Sequence, residues 1–576
     1  MTDAEPSLSQ NAIEVLKRRY LRKDEKGRVV ETLDEMFWRV ARNVASADLI
    51  YDENADVAAT EKAFHDLMAN LEFLPNSPTL MNAGRELQQL SACFVLPIDD
   101  SMESIFEAIK NTAIIHKSGG GTGFSFSNLR PRGDVVKTTK GLASGPVSFM
   151  SVFDAATEAV RQGGTRRGAN MGILRVDHPD ILEFIEAKEL EGSFRNFNLS
   201  VGITEEFMNA LEKDEEFSFI NPRTGDVAKR VNASEVFNRI VDAAWRNGEP
   251  GIVFLDRINE GNPLPQLENI ESTNPCGEQP LLANESCTLG SIVLSNMLKK
   301  ENGSWVLDYV KLERVVRSSV RFLDNVIDVN SFPLKVIEQI SKANRKIGLG
   351  VMGFADMLIM MGIRYDSEEA INVAEDVIGF ISDKAKSESQ RIASERGPFP
   401  NFKGSAYEKR GEPELRNATL TTIAPTGSLS IIADCSSGIE PLFSMSYVHE
   451  VMGGEKLVRT NSEFVRIANE GGLFTEELME EVASKGSIQD FEEIPGDVRN
   501  LFVTARDISP EWHVRVQAAF QKYVDNAVSK TVNFPNDATK EDVRKVFLMA
   551  YELGCKGITV YREGSRVGQV LRTHLG

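Results

Sequence analysis

What most constrains the fold of this chain is an alternation that runs without a break. From about Leu74 onward, Gly-rich turns separate apolar strand-like segments from helical ones, at 92–96, 101–115, 147–160, 172–176 and 198–203. Alternating β and α segments imply a sheet covered by helices. Further along, 368–395 reads as a long amphipathic helix, 419–424 and 429–433 as strands, and 462–469, 510–528 and 540–553 as helices. The Pro-Gly clusters at 129–133, 248–251, 261–265 and 397–404 are short enough to be loops, and no low-complexity linker or repeat period divides the run. One large α/β domain is therefore expected over 71–576. A helical segment precedes it over 1–70, where 11–22 and 33–46 carry apolar residues such as Leu33, Met36, Phe37, Val40 and Val44 at three- and four-residue spacing.

Size and charge narrow the function. A chain of 576 residues, 41% hydrophobic, can bury a large core, which excludes a small disulfide scaffold and a disordered chain. Its 65 Lys and Arg against 85 Asp and Glu leave a net charge of -20, so a nonspecific grip on DNA or RNA would work against the whole field. No nucleic-acid partner is expected, and nucleotides would need local basic pockets. Five cysteines, at 93, 276, 287, 435 and 555, are too few and too scattered for a secreted framework, and the N-terminus shows no signal peptide. A cytoplasmic protein follows. The most apolar run, 347–363, contains Gly348, Gly350, Gly353, Gly362 and Asp356, and reads as a buried helix rather than a membrane span. The six histidines show no metal-ligand spacing, so no protein-built zinc or iron centre is expected.

Several motifs carry chemistry. In Asn274-Pro275-Cys276-Gly277-Glu278-Gln279-Pro280, each proline biases the residue before it toward extended backbone. Extended backbone alternates its side chains, which would put Asn274, Cys276 and Glu278 on one side. A thiol between an amide and a carboxylate suits radical or acid–base chemistry on one small substrate; a turn with a buried cysteine weighs equally. Cys93 and Cys287 can pair only if the fold brings their Cα atoms within ~7 Å, and taken alone each reads as an inert core thiol. Around 424–430, a Pro-Thr-Gly-Ser turn offers free backbone N–H groups and the hydroxyls of Thr426, Ser428 and Ser430 to an anion, with an ordinary helix cap as the equal alternative. The Gly-rich stretch 116–124 fails the dinucleotide fingerprint at Phe126 and lacks the Lys of a P-loop. It reads as a loop approaching a ligand closely or as a surface turn. Arg161, Arg166 and Arg167 sit on a second Gly-rich loop and would suit phosphates, against a reading as solvated charge.

Together these segments resemble the ribonucleotide reductases, and specifically the adenosylcobalamin-dependent class II, over residues 15–570. The resemblance is carried by Asn76-Ser77-Pro78-Thr79-Leu80, the Cys93 segment, 116–124, 141–150, 163–172, Asp177-His178-Pro179-Asp180, 274–280, Cys287, 425–430 and Gly557-Ile558-Thr559-Val560-Tyr561-Arg562-Glu563-Gly564. It implies an α/β fold, a ten-stranded α/β barrel of two antiparallel five-stranded halves with the 274–280 loop threaded through its centre as a finger. It further implies reduction of ribonucleoside diphosphates, with triphosphates left open. Cys276 would be the thiyl radical that takes hydrogen from C3′, Glu278 the acceptor of the 3′-hydroxyl proton, and Asn274 a holder of the same edge of the sugar. Cys93 and Cys287 would supply two electrons and end as a disulfide. Substrate would lie against Ser77, Ala92, Gly121, Pro425, Thr426, Gly427 and Ser428. A homodimer would bind deoxynucleoside triphosphate effectors at Asp100, Ser101, Arg130, Lys137, Arg161, Arg166 and Arg167, and the loop 188–199 would carry the signal to the substrate.

The resemblance also selects the radical source. A class I large subunit, which needs a metal-containing radical partner subunit, would relay through a tyrosine pair where this chain offers Tyr561 alone. A class III enzyme usually lacks the glutamate matched by Glu278 and carries a glycyl-radical motif unlike Arg572-Thr573-His574-Leu575-Gly576. A catalytically silent nucleotide-binding regulator would not be expected to keep all five residues. Adenosylcobalamin remains, base-on because no Asp-x-His-x-x-Gly occurs, with Mg2+ accompanying the nucleotide phosphates. The lead-in of about 70 residues is unlike an ATP-cone, so overall control by ATP and dATP is not expected. No cysteine pair follows Gly568 to re-reduce the disulfide. Either the sequence is truncated or a thioredoxin-like reductant reaches Cys93 and Cys287 directly.

Overall fold

A computed structural model of the chain describes residues 8–135, 141–160, 168–190, 192–451, 455–472, 475–565 and 571–572. The N-terminal segment forms α1 (Gln10–Arg19), α2 (Leu33–Ala45) and α3 (Val57–Ala69), capped by the side chains of Ser9, Thr32 and Asp56. Thr32 and Glu35 satisfy each other's backbone N–H in a capping box. The stripe Met36, Phe37, Val40 and Val44 is fully buried, in a core shared with the helices Tyr309–Val329 and Glu368–Arg396. Phe64 of α3 meets Phe322 edge-on at 5.0 Å across that boundary.

The strands follow in chain order. β1 (Phe73–Pro75) is short and pairs antiparallel with part of a later strand. β2 (Cys93–Val95), β3 (Gly121–Ser125), β4 (Asn170–Arg175) and β5 (Phe197–Ile203) are successive parallel neighbours. After the hairpin β6 (Glu216–Ile220) and β7 (Val227–Asn232), β8 (Gly251–Phe254) completes the first half beside β5. β9 (Ser272–Thr273) and β10 (Pro280–Leu281) form a second hairpin, and β11 (Leu289–Val293) opens the other half. Past the hairpin β12 (Leu298–Glu301) and β13 (Ser304–Leu307), β14 (Gly348–Met352) runs parallel to β11.

Parallel bridges carry the second half onward, from Leu349 of β14 to Thr421 and from Ile423 to Val528. A further hairpin, β15 (Ser446–Val451) with β16 (Glu455–Thr460), stands aside, and β17 (Thr531–Phe534) and β18 (Gly557–Arg562) finish the half in parallel. Two antiparallel seams close the ring: β18 pairs with β8, and Phe94 of β2 bridges Ser286 just ahead of β11. Each half holds five parallel strands and the halves oppose each other, so the ten-stranded barrel expected above is the architecture present.

Three segments depart from expectation. Residues 347–363 are not one helix but β14 followed by the helix Phe354–Met361, with the break at Gly353 in the left-handed region (φ +74°). A strand buried on both faces is apolar throughout, so its pattern does not separate it from a buried helix. Residues 429–433 form the short helix Leu429–Ile432 rather than a strand, for the same reason. The expected helix 510–528 ends at Gln521, which frees Val528 to join the barrel. Among the described residues no helix is long and apolar enough to cross a membrane, and no group of three or more potential ligands is placed to hold a metal ion.

Candidate active site

The hairpin of β9 and β10 pairs Thr273 with Pro280 and Ser272 with Leu281, leaving 274–279 as its tip. This tip is a tight turn, not the extended strand expected. The Asn274 carbonyl accepts from the Gly277 N–H at 3.0 Å, and the Asn274 N–H donates to the Gln279 carbonyl at 3.1 Å. Gly277 takes φ +81°, which a residue without a Cβ adopts at little cost. The prolines restrict only the residues before them, whereas the reversal is set by pairing across the hairpin. Asn274 and Glu278 are consequently buried, and the Cys276 thiol is exposed at the tip.

Two glycines of β3 make room for this hairpin. A Cβ at Gly123 would sit 1.8 Å from the Thr273 carbonyl oxygen, and one at Gly121 would sit 3.0 Å from Pro275. The stretch 116–124 is thus a loop only in part. His116 and Lys117 end the helix α5 (Met102–Lys117), Gly119 turns the chain, and the remainder is β3 pressed against the hairpin. Side chains from both barrel halves pin the tip. Asn198 Nδ2 donates to the Pro275 carbonyl at 2.7 Å, and Thr422 Oγ1 donates to the Glu278 carbonyl at 2.8 Å.

The seam between β2 and the approach to β11 places the other two thiols. Asn284 N–H donates to Val95 O at 2.8 Å and Cys287 N–H to Cys93 O at 3.0 Å, which sets the two cysteines against each other. Both are buried free thiols in side-chain contact, and Asn274 Nδ2 donates to Cys93 Sγ at 3.3 Å. Burial, then the Cys93 thiol and the Glu278 carboxyl nearby, pushes the Cys287 thiol well above its usual range, so it stays protonated at neutral pH. The fold therefore gathers Asn274, Glu278, Cys93 and Cys287 in one buried cluster at the base of the tip that carries Cys276. Cys435 and Cys555 lie buried elsewhere, and burial pushes the Cys555 thiol up to about 12.

The expected substrate residues fall into two groups. Ala92 and Gly121 lie beside the hairpin, joined by the Gly121 N–H to the Ala92 carbonyl at 2.9 Å. The rest gather where α1 meets the barrel. Ser77 begins the helix α4 (Ser77–Asn82), and its Oγ lies 2.8 Å from Tyr20 Oη. Ser428 accepts from Arg19 Nη1 at 3.0 Å, Pro425 and Ser428 are half-buried, and Gly427 is exposed. Thr426 is buried in the left-handed region (φ +52°), its hydroxyl accepting from the Gly438 N–H at 2.8 Å. Arg19 carries no sequence signal beyond the polar side of an amphipathic helix, and Tyr20 none beyond its buried side.

Of the expected effector residues, Arg130 Nε pairs with Asp100 Oδ2 at 2.8 Å, and Ser101 caps α5 by accepting from the Ser104 N–H at 3.1 Å. Lys137, Arg161, Arg166 and Arg167 lie outside the described residues. In the 188–199 loop, Lys188 pairs with Glu249 at 2.7 Å, and Asn198 reaches the finger hairpin directly.

Comparison with known proteins adds to this geometry. A family model described as "Ribonucleotide reductase, barrel domain" matches residues 91–414 and 409–561, and one described as "Ribonucleotide reductase, all-alpha domain" matches 6–88. The chain is 48% identical over 619 residues to a vitamin B12-dependent ribonucleoside-diphosphate reductase of Thermoplasma acidophilum, covering 98% of this chain and 80% of that one. It is also 48% identical over 568 residues to a reductase of the same description from Mycobacterium tuberculosis, covering 98% and 81%. Among solved structures, the class Id ribonucleotide reductase alpha subunit of Actinobacillus ureae superposes with a TM-score of 0.79 at 23% identity, over 98% of this chain and 99% of that one. That likeness speaks for the fold.

Proposed function

This chain belongs to the ribonucleotide reductases, and on that premise we propose that it is an adenosylcobalamin-dependent enzyme that reduces ribonucleoside diphosphates to 2′-deoxyribonucleotides. One observation carries the reading: a hairpin tip with an exposed thiol places its buried amide on one of two buried thiols in mutual contact and its buried carboxyl near the other. The division into a helical segment over 1–70 and a barrel domain over 71–576 belongs to the same proposal.

Cys276 is the one exposed cysteine of the five, and so fits a bulky group docked at the barrel mouth. When bound, adenosylcobalamin supplies the one-electron oxidation that makes this thiol a thiyl radical. The four histidines with described side chains, His65, His116, His178 and His513, are all buried, which supports a cobalamin that keeps its own base.

In the proposed sequence the Cys276 thiyl removes hydrogen from C3′ of the ribose and becomes a thiol. Glu278 accepts the 3′-hydroxyl proton while Asn274 holds that edge of the sugar. The 2′-hydroxyl leaves as water, protonated by one thiol of the Cys93–Cys287 pair, and the other thiol gives its hydrogen to C2′. As the pair closes to a disulfide its remaining electron, with the proton returned by Glu278, restores the 3′-hydroxyl and leaves the radical at C3′. Cys276 then returns its hydrogen to C3′ and is again a thiyl. A protonated Cys287 is the state this chemistry requires. Burial around the pair keeps water from the intermediates. Phosphates, with Mg2+, would sit at 425–428, with Ser77, Ala92 and Gly121 lining the remainder. In the same reading the enzyme is a cytoplasmic homodimer, with deoxynucleoside triphosphate effectors bound near Asp100, Ser101 and Arg130 and with a thioredoxin-like protein restoring the thiols.

Purified chain with adenosylcobalamin and dithiothreitol, assayed chromatographically on all four diphosphates and triphosphates with and without effectors, tests this. Deoxynucleotide formed from diphosphates without a second subunit is the expected result. Activity appearing only when a metal-containing subunit is added would assign the chain to class I, and no product in either mixture would make it a silent nucleotide-binding regulator.

A further inference from the structure

The catalytic cluster leaves the end of α1 unexplained. There, adjacent residues reach two separate barrel segments, Tyr20 touching Ser77 at 2.8 Å and Arg19 donating to Ser428 at 3.0 Å, while α1 packs on the helix Leu429–Ile432. In this acidic chain the Arg19 guanidinium meets a hydroxyl and, at 5.9 Å, the Tyr20 ring; among the described residues no carboxylate pairs with it. Its Nε is buried with no hydrogen-bond partner, an arrangement that is costly unless an acceptor arrives. Ser428, accepting from Arg19, keeps its own O–H proton for a further acceptor. Behind them Arg39 and Arg85 share the single carboxylate of Glu31, at 2.7 and 3.4 Å, so the local charge is positive.

We propose that Arg19 is a phosphate-binding residue, contributed to the barrel's substrate site by the N-terminal helix. Its idle Nε–H and fork geometry match a phosphate group held at 425–428, and Tyr20 fixes the helix end against Ser77. The inference rests on the reading of 425–428 as the phosphate loop. It makes the helical segment part of the substrate site rather than a cover over the barrel.

Equilibrium binding of cytidine 5′-diphosphate, inorganic pyrophosphate and cytidine to the full chain, read by ligand-observed NMR, tests it with the variants Arg19→Gln, Arg19→Lys and Gly427→Val. Gly427 is exposed and a Cβ there meets nothing within 4 Å, so valine obstructs the loop mouth without straining the protein. The expected result is a loss of about 10- to 100-fold in diphosphate and pyrophosphate affinity for Arg19→Gln, a smaller loss for Arg19→Lys and unchanged cytidine binding. That range is one to two steps of ~1.4 kcal/mol. Gly427→Val should also weaken the diphosphate. If Gly427→Val weakens binding but Arg19→Gln matches the parent, the Arg19 proposal falls and the phosphate loop stands. If neither variant changes anything, both fall. An equal loss for cytidine and its diphosphate in Arg19→Gln overturns the proposal in favour of a structural role.

Discussion

Cys276 is exposed at a hairpin tip, whereas Cys287 is buried against Cys93, so serine at each position has a different outcome. Cys276→Ser should abolish deoxynucleotide formation while changing unfolding free energy by less than about 0.5 kcal/mol, as exposed substitutions do. Cys287→Ser puts a hydroxyl in a dry site and should cost roughly 1–3 kcal/mol in addition to stopping turnover; product assays and denaturant melts on the same preparations separate the two. Gly123→Ala drives a methyl into the Thr273 backbone and should cost roughly 1–3 kcal/mol while lowering activity through a displaced Cys276. The identities of Asn274, Cys276 and Glu278 as one constellation were legible in their order along the chain. Their directions were not, because the proline rule is local and the turn depends on pairing between β9 and β10. Arg19 was invisible for a stronger reason, since its partner Ser428 lies 409 positions away.

Elements delimited by glycine turns were read closely: β2, β4, β5, α5 and the helix α6 (Pro146–Val160) lie within a few residues of their expected positions, whereas β3 falls in the glycine-rich stretch expected as a loop. Segments apolar on every face, 347–363 and 429–433, were not, because burial on all sides erases the period that separates helix from strand. The junction of α5 with β3 carries a pH dependence. His116 Nε2 lies 3.0 Å from Thr122 Oγ1, and Thr122 gives its own proton to Asn170 Oδ1 at 2.7 Å, so the imidazole donates from Nε2. Burial lowers its pKa from 6.5 to about 4. Above pH 6.5 neither folded nor unfolded chain protonates this site and its contribution is complete. Between 6.5 and 4 the unfolded chain takes up a proton the folded one refuses, and stability falls by up to about 3 kcal/mol. Denaturant titrations at pH 7 and pH 4.5 should show a smaller loss for His116→Asn than for the parent; equal losses would count against this account.

Over the whole molecule, the helical segment and the second barrel half share one core and one charge network. Asp48, at 2% exposure, holds Arg321 at 2.6 Å, Arg396 at 2.5 Å and Asn325 at 2.9 Å, and Tyr51 donates to Asp328 at 2.8 Å. Asp48→Ala removes the carboxylate shared by Arg321 and Arg396, leaving Arg396 with Asn325 and the more distant Asp324 at 3.7 Å, and should cost about 1–3 kcal/mol, measured by urea unfolding, with the helices and the barrel melting in one calorimetric transition rather than two. Closure of the ring was legible only through family resemblance, because the seam of β18 with β8 joins residues about 300 apart that no local pattern connects. The opposite seam is the one that holds Cys93 and Cys287, with backbone bonds already spanning it. Oxidising that pair would rivet the hoop shut across a join otherwise held by hydrogen bonds. Each turnover would then fasten the molecule and each visit of the reductant unfasten it, so the spent enzyme should outlast the fresh one under heat or a protease by about 2–4 kcal/mol.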